Sequence, residues 1–234
     1  MPARLGGIAR RRPFPRIRLT MLPPRRLSAP PGASRVRRQQ LGRQLDELMV
    51  ELAYAGMNID QPLFLALLEA RERHGDGRIV LEDAQRQCLD FRALLTRAFI
   101  LAELLESDCA GQRNVGLLLP NAAAAFVALL GLHLRGQVPV LLNFTAGSHD
   151  LLAACRTAQV RTVCTSRAFV AVANLDALIA TLGEHVQVLF LEDLRPRATL
   201  SARLRGLARA LVPGWSFHRW AGPVRADDPA VILF

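Results

Sequence analysis

Apolar positions along this chain change period repeatedly, and the changes predict its elements. Between residues 34 and 56, Leu41, Leu45, Leu48, Leu52 and Ala55 recur at three- and four-residue steps, the single stripe of an amphipathic helix. Beyond residue 59, short apolar runs alternate with helical segments. Strands are expected at 78–82, 115–119, 138–142, 162–165 and 186–191, with a final one at 230–234. Helices are expected at 61–74, 91–106, 121–136, 149–158, 168–182 and 199–210, with Asp60, Asp90, Asn121 and Ser148 as N-caps. Such alternation predicts an α/β fold, a mostly parallel sheet with covering helices. Residues 114–134 carry no charge and are long enough for a membrane span, but Pro120-Asn121 falls where a strand would give way to a helix. The βα reading is therefore preferred.

The first 33 residues read differently. Seven of the 14 prolines lie there, so a long helix is excluded. Within this tail Arg16-Ile17-Arg18-Leu19-Thr20-Met21-Leu22 alternates like a half-buried strand, and Pro23-Pro24 follows it. Three segments result: a basic Pro-rich tail at 1–33, a linker helix at 34–58, and an α/β body at 59–234. The tail has neither an apolar signal-peptide core nor the serine-rich amphipathic pattern of a transit helix.

Charge sharpens this division. The net +10 belongs to residues 1–45, which hold 12 Arg and no acid, whereas the remainder holds 18 Arg against 20 acids. Arg10, Arg11, Arg12, Arg25, Arg26, Arg35, Arg37 and Arg38 form clusters suited to an anionic membrane surface. Without interleaved aromatic rings in the last two clusters, nucleic acid is the weaker expectation. A solvated basic linker accounts for the same residues. All 30 basic residues are Arg, so a P-loop lysine, a Schiff base and a lysine general base are excluded from residues 1–234.

Other chemistry is equally absent. The cysteines at 88, 109, 155 and 164 form no C-x-x-C pair and no His/Cys cluster, so no metal site is expected. Scattered thiols of this kind suit a reducing cytoplasm. Gly-x-Ser-x-Gly and Gly-x-Gly-x-x-Gly do not occur. Ser148-His149-Asp150 is contiguous, and adjacent side chains diverge, so it is not a triad. Five residues after the five histidines stand Ile79, Val138, Ala154, Phe190 and Pro223, which excludes a His-x-x-x-x-Asp acyltransferase centre. No catalytic residue is assigned.

One long stretch resembles a known family. Residues 115–143, VGLLLPNAAAAFVALLGLHLRGQVPVLLN, are similar to the early core of adenylate-forming, AMP-binding acyl-activating enzymes. NFTAG at 143–147, LLAACRTAQV at 151–160, VCTSRAFV at 163–170 and VLFLEDLR at 188–195 resemble one branch. That branch is the bifunctional acyl-[acyl-carrier-protein] synthetase/2-acylglycerophosphoethanolamine acyltransferases. RIRLTMLPPRRL at 16–27 resembles the end of that family's acyltransferase domain, and NIDQPLFLALLEARERHG at 58–75 its first synthetase helix.

The resemblance implies an internal fragment, truncated before the Thr-Ser-Gly phosphate loop. It also implies a parent that activates a fatty acid with ATP and Mg, loads acyl carrier protein and reacylates a lysophospholipid. The chain alone is expected to bind no cofactor and to be inactive. Asn121, at the Pro-Asn position, together with Asn143 and Thr145, is expected to face substrate or nucleotide. The expected location is cytoplasmic, peripheral on the inner membrane face. The alternative is a non-catalytic α/β binding module held on a membrane by its basic tail.

Overall fold

The computed structural model describes residues 19–28 and 34–234. Arg10–Arg12 and Arg16–Arg18 lie outside the described residues. The chain divides near residue 60 into two compact units.

In the smaller unit, α1 spans Ser34–Gly56. Its expected stripe is only partly covered: Leu41, Leu48 and Leu52 are half-buried, and Leu45 is exposed. Arg25 pairs with Glu51 at 2.8 Å, and the Gln44 amide donates to the Ser28 carbonyl. The strand expected at 16–22 does not form over residues 19–22. Leu19 and Met21 are 80% and 78% exposed there, since no neighbouring strand takes up their backbone groups.

The larger unit begins with α2 (Leu63–His74), a hairpin of β1 (Ile79–Glu82) and β2 (Cys88–Asp90), and α3 (Phe91–Leu104). There follow β3 (Asn114–Leu117), α4 (Ala123–Leu134), β4 (Val138–Leu141), α5 (Ser148–Thr157) and β5 (Thr162–Thr165). The remainder comprises α6 (Arg167–Val172), α7 (Asp176–Gly183), β6 (Gln187–Phe190), α8 (Leu200–Leu211), α9 (Pro213–Ala221) and β7 (Ile232–Leu233). The main sheet is parallel throughout, in the order β6-β5-β3-β4-β7.

Alternate side chains of each strand serve opposite faces, as a period of two demands. Val115, Leu117, Cys164 and Leu189 pack with Ala128 and Leu132 of α4. Leu118, Val140, Leu142 and Val163 pack instead with Leu151 and Cys155 of α5 and with Leu182 of α7. Gly116 lies where strands and helix crowd together; a Cβ there would stand 2.9 Å from Val163. A third cluster joins α2, α3, α4 and α9 through Phe64, Phe99, Leu130 and Phe217, with the Phe64 and Phe217 rings stacked at 4.9 Å.

Several expectations need correction. The 168–182 segment is two helices, because Asn174 takes φ 52° and turns the chain. β1 pairs antiparallel with β2, outside the parallel sheet. The final strand shortens to β7, which pairs with β4 at the edge of the sheet and leaves Leu233 exposed. Asp90 does cap α3, accepting from the Ala93 N–H at 2.7 Å. Asp60 caps nothing, because α2 begins after Pro62. Ser148 is already inside α5, whose cap position is Gly147. Among the described residues no helix is long and apolar enough to cross a membrane.

Candidate functional site

Where a parallel sheet sends successive helices to opposite faces, a crevice opens at the carboxyl ends of its strands. Here α4 leaves β3 for one face and α5 leaves β4 for the other. In the order β6-β5-β3-β4 the chain leaves β3 toward one side and β5 toward the other, so the topology puts the crevice between the exits of these two neighbouring strands. Asn121 lies on the β3 exit; Asn143 and Thr145 lie on the β4 exit; all three are exposed.

Asn143 and Thr145 form one unit. The Asn143 side-chain oxygen accepts from the Thr145 backbone N–H at 3.1 Å and from its hydroxyl at 2.8 Å, an Asx turn that shapes the loop locally. Beside it Phe144 meets Phe169 edge to face at 5.2 Å, anchoring the loop to α6. Asn121 has no comparable partner among the described residues. It is not the cap of α4: that position is Ala122, which makes no side-chain cap.

Asp83, from the β1–β2 turn, takes over this role. One carboxylate oxygen accepts from the Ala123 N–H at 3.2 Å, and the other from Gln87 and Gln85. The Gln87 and Ala123 N–H groups hold its pKa below the ordinary value, despite an opposing desolvation effect. Glu192 acts similarly on α6. It accepts from the Ser166 hydroxyl at 2.8 Å and the Arg167 N–H at 3.1 Å. Burial pushes its pKa up, but these donors outweigh burial and leave it below the usual value. Neither carboxylate was expected from sequence, since the helix each one caps lies 24 or more residues away along the chain.

The opposite, amino-terminal edge is built differently. The Gln137 amide donates to the Cys109 and Gln112 carbonyls, at 2.5 and 3.2 Å. The Asn114 amide donates to Ala158 at 2.7 Å, and Gln112 to the Thr162 hydroxyl at 2.9 Å. A cavity of about 540 Å³ opens here, lined by Arg113, Asn114, Arg156, Gln159, Arg161 and His185.

Of the tail arginines, Arg25 is committed to Glu51, whereas Arg26, Arg35, Arg37 and Arg38 are exposed. His149 touches Asp150 at 3.3 Å on the exposed start of α5, with no part played by Ser148. No group of three His, Cys, Asp or Glu side chains fit to hold a metal occurs among the described residues. The neutral Asn121, Asn143 and Thr145 are not a donor set for Mg, nor do they make a cradle for a triphosphate.

The sequence model of the AMP-binding enzyme family matches residues 67–234. The chain belongs to that family. In structure it is similar to the N-terminal subdomain of Klebsiella oxytoca NpsA, solved with 3-hydroxybenzoyl-AMSN. The TM-score is 0.50 at 18% identity, over 62% of this chain and 33% of that one. It is also similar to o-succinylbenzoate CoA synthetase (MenE) of Bacillus subtilis, solved with ATP and magnesium ion. There the TM-score is 0.48 at 23% identity, over 58% of this chain and 34% of that one. A benzoate CoA ligase from Burkholderia xenovorans matches at TM-score 0.48 and 20% identity, over 57% of this chain and 28% of that one. The chain thus spans about a third of the length of these proteins. The NpsA likeness agrees with the family's fold, the α/β architecture of an adenylate-forming N-terminal subdomain.

Proposed function

We propose that this chain contributes the N-terminal part of the synthetase domain of an ATP-dependent enzyme that activates a fatty acid as an acyl-adenylate and loads it on acyl carrier protein. The activated acyl group then reacylates a lysophospholipid. The observation that carries the first step is the family match over residues 67–234. The finer assignment is supported by the resemblance of residues 143–147, 151–160, 163–170 and 188–195 to acyl-carrier-protein synthetases. Asn143 and Thr145 would present neutral hydrogen-bonding groups to the acyl-adenylate. Charge compensation on the phosphates, and Mg itself, would depend on residues other than these.

The 234-residue chain alone is expected to give no ATP–pyrophosphate exchange and no acylation of lysophospholipid; robust turnover would overturn that reading. The native protein, as isolated from its cells, should show exchange that depends on a long-chain fatty acid. Exchange that responds to aromatic acids alone would remove the fatty-acid assignment.

A second reading, a non-catalytic module held on a membrane by its basic tail, draws on the exposed Arg26, Arg35, Arg37 and Arg38. It predicts vesicle binding that weakens with salt and is lost when residues 1–45 are deleted.

A further inference from the structure

The α8 helix is packed with its small side chains inward and its leucines outward. Ala202, Gly206 and Ala210 are buried, and Gly206 lies so close to α3 that a Cβ would stand 2.7 Å from Ile100. Glu103 of α3, its side chain only 6% exposed, pairs with both Arg205 and Arg209, which fixes the helix in this orientation. Leu200, Leu204, Leu207 and Leu211 fall at three- and four-residue steps along another face. All four are exposed, Leu200 and Leu211 to 75%. Val212 and Trp215 continue the strip onto α9, with Trp215 68% exposed. An amphipathic helix ordinarily buries its leucines; here close approach to α3 requires the opposite.

Charge identifies what covers the strip. From residue 194 to residue 226 there are seven Arg and no acid. Arg203 and Arg219 are exposed and have no carboxylate partner among the described residues. A second copy of the same face would bring these arginines together, which opposes a symmetric dimer. Leucine and tryptophan beside unpaired arginines suit the boundary between acyl chains and anionic headgroups. We propose that α8 and the start of α9 lie flat on an anionic phospholipid bilayer, with the leucines and Trp215 inserted and Arg203 and Arg219 on the phosphates. This surface is made of residues other than those of the basic tail and does not depend on the catalytic reading.

The test uses the whole chain with vesicles of phosphatidylcholine containing about 30% phosphatidylglycerol, and brominated lipid as a fluorescence quencher. Trp215 and Trp220 are the two tryptophans, so Trp215→Phe identifies the signal that belongs to the surface. Trp215 emission should shift to the blue and be quenched. The triple variant Leu204→Ser, Leu207→Ser, Leu211→Ser should bind at least about tenfold more weakly with its melting curve retained.

Arg203→Glu with Arg219→Glu leaves the leucines in place and should remove the preference for phosphatidylglycerol. Binding unchanged in both variants, with Trp215 unquenched, would assign the affinity to the tail and overturn the proposal. Absence of vesicle binding, with an oligomer that the leucine variant dissolves, would assign the face to another copy and overturn it equally.

Discussion

The two edges of the parallel sheet use their polar side chains in opposite ways. At the amino-terminal edge, Gln112, Asn114 and Gln137 reach across the chain to carbonyls or a hydroxyl 25 to 50 residues away, knitting strand entries together. At the carboxyl-terminal edge, Asn143 bonds only two residues onward among the described residues, and Asn121 stays exposed. Both edges contain amides, so amide content alone does not distinguish scaffold from site. The distinction is how far each amide reaches. The amino edge also bears a cost, since the acceptor oxygens of Gln112 and Gln137 are buried without a partner among the described residues.

The largest effect should come from the amino edge. Gly136 holds φ +68° between α4 and β4, and a Cβ there would stand 2.5 Å from the Ala221 carbonyl. Gly136→Val should lower stability by about 3 kcal/mol or more, read from urea melts. Next, Gln137→Leu removes the donor from two carbonyls, and should cost about 2 kcal/mol. A melt unchanged by that substitution would dissolve the contrast between the edges.

The carboxyl edge should respond less. Glu192→Ala removes the acceptor at the start of α6 and should cost about 1 kcal/mol near neutral pH. Because the folded protein holds the Glu192 pKa below the ordinary glutamate value of 4.5, this stabilisation is fully present above that value. It is lost as pH falls through the lower folded value, so wild type and variant should converge in acid. Smallest of all, Asn143→Ala should change stability by less than about 0.5 kcal/mol, yet lower fatty-acid-dependent exchange by the native protein about tenfold. A large stability loss with normal exchange would make Asn143 a structural residue.

Much of this was legible in the sequence. The β5 run Thr162–Thr165 was bounded correctly, and the Asp90 cap, the βα break at Pro120-Asn121 and the parallel sheet were all foreseen. These features are local, encoded by apolar period and by a capping side chain next to its own helix. What failed was long-range or marginal. Asp83 displaced Asn121 as the acceptor for α4 by reaching 40 residues along the chain. β2 is only three residues long, too short for periodicity to register. Asn174 breaks a run whose composition favours one continuous helix. α9 was missed although Pro213 occupies its first turn, a start signal available to sequence reading. The loops that carry Asn121, Asn143 and Thr145 could be placed because they follow strands. Asp83 and Glu192, which accept from the first N–H groups of α4 and α6, could not, because those helices are distant in sequence.

The central claim is that this chain supplies one wall of an acyl-adenylating site. Its most direct test is ATP–pyrophosphate exchange with a long-chain fatty acid, measured side by side on the 234-residue chain and on the native protein. The account predicts silence from the chain and fatty-acid-dependent exchange from the native protein. Silence from both with every acid tried, or exchange by the chain alone, would contradict it.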